Sequence, residues 1–148
     1  MNAPGEPATT GALGLRPCSR WRHWTPWLWT AVIVIVSVVP AEWLLGAAPE
    51  RSWSVLASLA HAFEFAILAG LIVWREGAAQ TKAWPSAVVL LRAGATALLL
   101  ALLIEVVQWP LPYRSFDGRD LAADAAGIVL GLGLSAVALR RAACRSGR

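Results

Sequence analysis

Apolar residues in this chain fall in four long, nearly unbroken blocks, at 27–45, 53–74, 87–109 and 121–139. Each is about as long as the roughly 20 residues a helix needs to cross a bilayer. Hydrocarbon offers no water to an exposed N–H or C=O, so each block must satisfy its own backbone, which a helix does. The alternating segments of a β-barrel, about half as long, are not visible. The pattern predicts an all-α fold, a four-helix transmembrane bundle. Residues 1–24, rich in Pro, Gly, Ala and Thr, are expected to form a disordered tail. Residues 25–140 form the membrane domain, and 141–148 a second, basic tail. The first block follows three arginines, as a signal peptide would, but an uncleaved span is favoured. Pro40 should kink it.

Composition agrees. Of 148 residues, 57% are hydrophobic and 15% charged, where a soluble domain would be near a quarter charged. The net charge of +4 could suit nucleic acid, but the placement of the basic residues argues against it. Ten of the 13 Lys and Arg lie in the two tails or near the middle connection, from Arg16, Arg20 and Arg22 through Arg75, Lys82 and Arg92 to Arg140, Arg141, Arg145 and Arg148. Only Arg51, Arg114 and Arg119 fall on the other side. The positive-inside rule then puts both termini in the cytoplasm, where the basic residues meet anionic lipid headgroups. Eight of the nine tryptophans, Trp29 among them, lie near a predicted span end and form an interfacial belt. Cys18 and Cys144 both fall in the tails, where thiols are normally reduced, so neither a disulfide nor a metal site is expected of them.

The polar residues inside the blocks carry the candidate chemistry, because ionisable side chains at membrane depth are expensive and mark functional sites by default. His61 and Glu64 are three apart on one face of the second helix, with Glu64 roughly 16 Å from Trp53. Glu105 and Gln108 repeat that step near the end of the third. Asp120, Asp124, Gly127 and Gly131 form one stripe of the fourth, and Ala123, Gly127 and Gly131 add a small-residue seam for close helix approach. With helices 1 and 3 running outward, these residues and Glu42 all fall in the outer half of the bilayer, below Arg114, Asp117 and Arg119. They are expected to line one crevice open to the outside. Six carboxyls against two arginines and a histidine cannot all ionise at low dielectric, so some must be protonated, paired or neutralised by a cation. Arg114 could hold a carboxylate bidentately, or a phosphate.

These residues resemble the VanZ-like family of small bacterial membrane proteins over roughly 38–131, through His61, Glu64, Glu105, Gln108, Pro112, Arg114, Asp117, Asp120 and Gly127. The run E-x-x-Q, P-x-R, D-x-x-D carries most of the likeness. Where the family often has Asp-Lys before the histidine, this chain has Ala57 and Ser58. Asp124 stands for the usual Asn, and Tyr113 for the Gly of Pro-Gly-Arg. The resemblance implies a multi-pass protein of the bacterial plasma membrane with a cell-envelope role. The family's namesake is linked to reduced susceptibility to glycopeptide antibiotics such as teicoplanin.

Three functions fit the residues. The first is a non-catalytic binding or accessory protein whose outer crevice holds a lipid headgroup, a lipid-linked cell-wall intermediate or a glycopeptide. The second is a polar network that only locks the bundle. The third is a metal-assisted enzyme on a lipid-linked substrate, with His61 or Glu64 as base and a divalent cation on Glu105, Asp120 and Asp124. No H-E-x-x-H, Cys cluster, G-x-S-x-G or phosphate-cradling Gly-rich loop is present, so no cofactor is predicted and the balance leans away from an enzyme.

Overall fold

The structure, a computed structural model, describes residues 20–40, 43, 52–77, 85–111 and 118–146. Among these are four helices: α1 (Arg20–Val38), α2 (Ser52–Gly77), α3 (Ala87–Gln108) and α4 (Gly118–Ser146). The all-α bundle expected from the pattern is present. Three helices are long and apolar enough to cross a membrane: α2 from Val55 to Gly77, α3 throughout and α4 from Gly118 to Arg145. Only 28% of each apolar window is buried within the protein. Large side chains such as Leu91, Leu99, Val106, Val129 and Leu134 point away from the bundle, which suits a lipid solvent and not water.

The first helix departs from expectation at both ends. It starts at Arg20, seven residues before the apolar block, and takes Pro26 into its body. Pro26 has no N–H for the Arg22 carbonyl, one turn back. The Thr25 hydroxyl donates to that oxygen at 3.3 Å instead. The helix stops at Val38, and Pro40 follows it as a terminator, not a kink within it. From Trp27 to Val38 the apolar part is 12 residues, or about 18 Å at the helical rise. That explains why α1 is not among the helices that meet the length and hydropathy of a span. At the other terminus α4 continues through Arg140, Arg141 and Arg145.

Packing centres on α2 and α4, which lie parallel. Ser58 pairs with Asp120 and His61 with Asp124, and Gly70 comes up against Ser135. Midway along, the two backbones touch. A Cβ on Gly127 would overlap the Ala62 carbonyl, and one on Gly131 the Ala66 carbonyl, each closer than real Cβ atoms come. Small residues at four-residue spacing on both helices (Ala62, Ala66 and Gly70 against Gly127, Gly131 and Ser135) permit this approach.

Helix α3 completes the core with an alanine stripe. Val89, Ala93, Ala97, Ala101 and Ile104 are buried, while its leucines at 91, 98, 99, 102 and 103 are exposed. A soluble helix would place them the other way round. Ser86 caps its start, accepting from the Val89 N–H at 3.4 Å. Helix α1 is joined to α2 at the far end by Arg22. Its Nη2 donates to the Trp74 carbonyl at 2.8 Å, and its guanidinium lies 4.5 Å from the centre of the Trp74 ring. That carbonyl is in the last turn of α2. The cation and the indole face attract one another as well.

The glycines should respond unequally to substitution. Gly127→Leu should lower stability by roughly 3 kcal/mol, the upper part of the usual range for overpacking, because a backbone and not a side chain must yield. Gly133 has nothing within 4 Å of an added Cβ, so Gly133→Ala should be neutral or gain up to about 1 kcal/mol of helix propensity. Thermal unfolding of both variants in detergent checks the contrast.

Candidate functional site

Five polar or charged residues are buried among the described residues: Ser37, His61, Glu105, Gln108 and Asp124. Ser37 is at the end of α1 and His61 in the first half of α2. Glu105 and Gln108 close α3, and Asp124 is in the second turn of α4. Since α1 and α3 run against α2 and α4, all five lie toward one end of the bundle. The arginines Arg22, Arg75, Arg92, Arg140, Arg141 and Arg145 lie toward the other.

The layer is built from contacts between helices. His61 Nδ1 faces Asp124 Oδ1 at 3.5 Å, with side chains 10% and 3% exposed. That is an ion-pair separation, longer than the roughly 2.7–3.2 Å of an N–H···O hydrogen bond, and both atoms are buried without a hydrogen bond between them. One turn higher the Ser58 hydroxyl donates to Asp120 Oδ1 at 2.7 Å. Asp120, in the first turn of α4, also lies at the positive end of the helix dipole. Gln108 Nε2 donates to the Ser37 carbonyl at 2.8 Å and ties α3 to α1. Glu105 is 3% exposed, and its Oε2 is sealed from solvent. The Ser37 hydroxyl is sealed too, and no hydrogen-bond partner reaches it.

Of the residues proposed from sequence, the fold gathers His61, Glu105, Gln108, Asp120 and Asp124 at one end. The acid facing His61 Nδ1 is Asp124 on another helix, although Glu64 shares a helical face with His61. Glu64 is half-buried, and its backbone carbonyl accepts from Trp29 Nε1 at 2.9 Å. Trp29 therefore packs in the middle of the bundle, outside the interfacial belt. Arg114, Asp117 and Glu42 lie outside the described residues. Among the described residues no group of three or more His, Cys, Asp and Glu could hold a metal ion. Glu105, Asp120 and Asp124 accordingly do not form the carboxylate centre considered from sequence.

Sequence reasoning missed Ser58 and Ser37. Ser58 was findable: it is three residues before His61, as Asp120 is four before Asp124, so two parallel helices bring both pairs into register. Where the resemblance expects lysine, a neutral hydroxyl meets Asp120. Ser37 contributes a backbone carbonyl, which no sequence pattern marks.

The fold and buried polar layer define a multi-pass helical membrane protein. A model of the VanZ/LLP1 family matches residues 11–139, and the chain belongs to that family. No curated protein and no solved structure matches it.

If the His61–Asp124 contact contributes as interhelical polar contacts in membranes do, a double-mutant cycle through His61→Ala and Asp124→Ala should give a coupling of roughly 0.6–1.7 kcal/mol. Equilibrium unfolding in mixed micelles measures it.

Proposed function

We propose that the chain is a non-catalytic binding protein of the bacterial plasma membrane, holding an envelope ligand at the polar end of its bundle. The observation that carries this reading is the confinement of every buried polar residue, among the described residues, to one end. Three of the five are ionisable. A charge inside a span is costly, by up to roughly 2.5–3.5 kcal/mol at the centre on insertion scales, and a bundle that needed only rigidity could use neutral amides such as Gln108. Retaining His61, Glu105 and Asp124 there is understandable if they meet a ligand. Two ligands fit the envelope role implied by the family: a lipid-linked cell-wall intermediate and a glycopeptide.

A second reading is favoured by the paired contacts Ser58–Asp120, His61–Asp124 and Gln108–Ser37: the layer serves to lock four helices and binds nothing. Charge-removing substitutions of similar shape separate the two. The purified full chain in detergent is heated with an isoprenoid-diphosphate-linked muropeptide and, separately, with teicoplanin. A ligand at about 100 times its Kd adds roughly 2.7 kcal/mol, so one probe should raise Tm by roughly 5–10 °C. Asp124→Asn and Glu105→Gln should remove that rise while leaving the ligand-free Tm near wild type. No rise with either probe, or a rise that survives both substitutions, contradicts the binding reading.

The orientation proposed here has both termini in the cytoplasm and the polar end outside, on the strength of the arginine asymmetry. The native thiols test it. Cys144 is exposed near the end of α4, and Cys18 precedes α1. A membrane-impermeant maleimide should label neither in intact spheroplasts and should label the protein once the membrane is permeabilised. Labelling in intact spheroplasts would reverse the topology.

A further inference from the structure

Above the point where their backbones touch, α2 and α4 meet along Ser58–Asp120 and His61–Asp124. They leave an open groove of about 400 Å³, within the size range of small-molecule sites. Its walls are Val55, Leu59 and Ala62 of α2, and Ala123 and Ala126 of α4. Arg119 stands at its mouth and is exposed. The groove closes at Ala62, where Gly127 brings the two backbones into contact. From residue 119 to 126 it runs seven residues along α4, or about 10 Å. One leaflet of hydrocarbon is about 15 Å deep, so the groove reaches from the headgroup level through most of a leaflet.

We propose that this groove seats one acyl chain of an anionic phospholipid, with the lipid phosphate against Arg119. The chemistry of the walls changes along the groove as a lipid does along its length. A guanidinium, whose planar fork suits a phosphate, stands at the headgroup level. Below it the walls are apolar except for Ser58, and Val55 and Leu59 among them are 64% and 61% exposed within the protein and therefore need covering by hydrocarbon. Ser58, also on the wall, donates to Asp120, and the charge at the mouth is that of Arg119. The seat borders the polar layer at Ser58 but does not require that layer to bind anything.

Native mass spectrometry of the full chain, released from non-ionic detergent, tests this with phosphatidylglycerol and phosphatidylcholine of identical chains. One phosphatidylglycerol should be retained at a concentration at least about tenfold below that needed for phosphatidylcholine, as expected when an ion pair worth roughly 1.4 kcal/mol or more is added to equal chain contacts. Arg119→Gln should bring the two lipids within about twofold of each other. Ala126→Phe, or the milder Ala123→Leu, should fill the groove and remove retention of both, with Tm reporting that each variant is folded. Equal retention of the two lipids by the wild type overturns the proposal. So does a preference that survives Arg119→Gln, or retention by folded groove-filled variants. A dimer that the groove-filling substitutions dissociate overturns it in favour of a second copy of the chain as the occupant. Because the probes here are bulk phospholipids, this result is separate from the response to muropeptide or teicoplanin.

Discussion

The structure depends on one contact, the meeting of the α2 and α4 backbones at Ala62 and Ala66 against Gly127 and Gly131. In a bilayer no hydrophobic force draws helices together, because lipid tails are as apolar as leucine. Association has to come from close packing and polar contacts. Two glycines without side chains let the helices come within reach of each other's carbonyls. That contact fixes the register, and the register decides which residues meet. One turn above Gly127 it sets Asp124 opposite His61, and one turn higher Asp120 opposite Ser58. Below, it aligns Gly70 with Ser135. The polar layer and the groove are therefore two outcomes of the same crossing.

The remaining helices fit around that pair. Helix α3 turns Ala93, Ala97 and Ala101 inward and most of its leucines outward, so that Glu105 and Gln108 arrive at the polar end with short side chains beneath them. Helix α1 is held differently, by directed contacts along its length: Arg22 to Trp74, Trp29 to the Glu64 carbonyl, and the Ser37 carbonyl to Gln108. Each offsets the desolvation of a polar group that would otherwise face hydrocarbon. This division suits a rigid pair of spans carrying His61 and Asp124, with a third helix completing the core and adding Glu105, and α1 fastened at three points.

Much of this could be read from residues. The four apolar blocks gave the helices, since backbone satisfaction in lipid leaves few alternatives. The stripe of Asp120, Asp124, Gly127 and Gly131 gave the contact face of α4, because a four-residue period survives any tertiary context. The grouping of His61, Glu105, Gln108, Asp120 and Asp124 toward one end followed from up-and-down topology. What escaped depended on geometry between helices. His61 faces Asp124 across a helix crossing, not Glu64 on its own helix, and spacing within one helix cannot decide that. The start of α1 was misplaced because the apolar run begins only at Trp27, while the helix reaches back through Pro26 to Arg20. A threonine hydroxyl on the next residue back supplies the hydrogen bond that proline cannot, and the helix runs through it. Its end was misplaced because hydropathy continues past Pro40 while the helix does not. Trp29 resembles a belt residue by position, yet its indole reaches a carbonyl in the middle of the bundle.

The most direct test reads the register of α2 on α4 in native membranes. With Cys18 and Cys144 replaced by serine, Ser58→Cys is combined with Asp120→Cys, and in a second protein with Ser135→Cys, fifteen residues or roughly 22 Å further along α4. Mild oxidation should link the first pair within the chain and leave the second pair reduced. If the first pair stays reduced while the second forms the bond, the glycine contact does not set the register. His61 and Asp124 then do not meet.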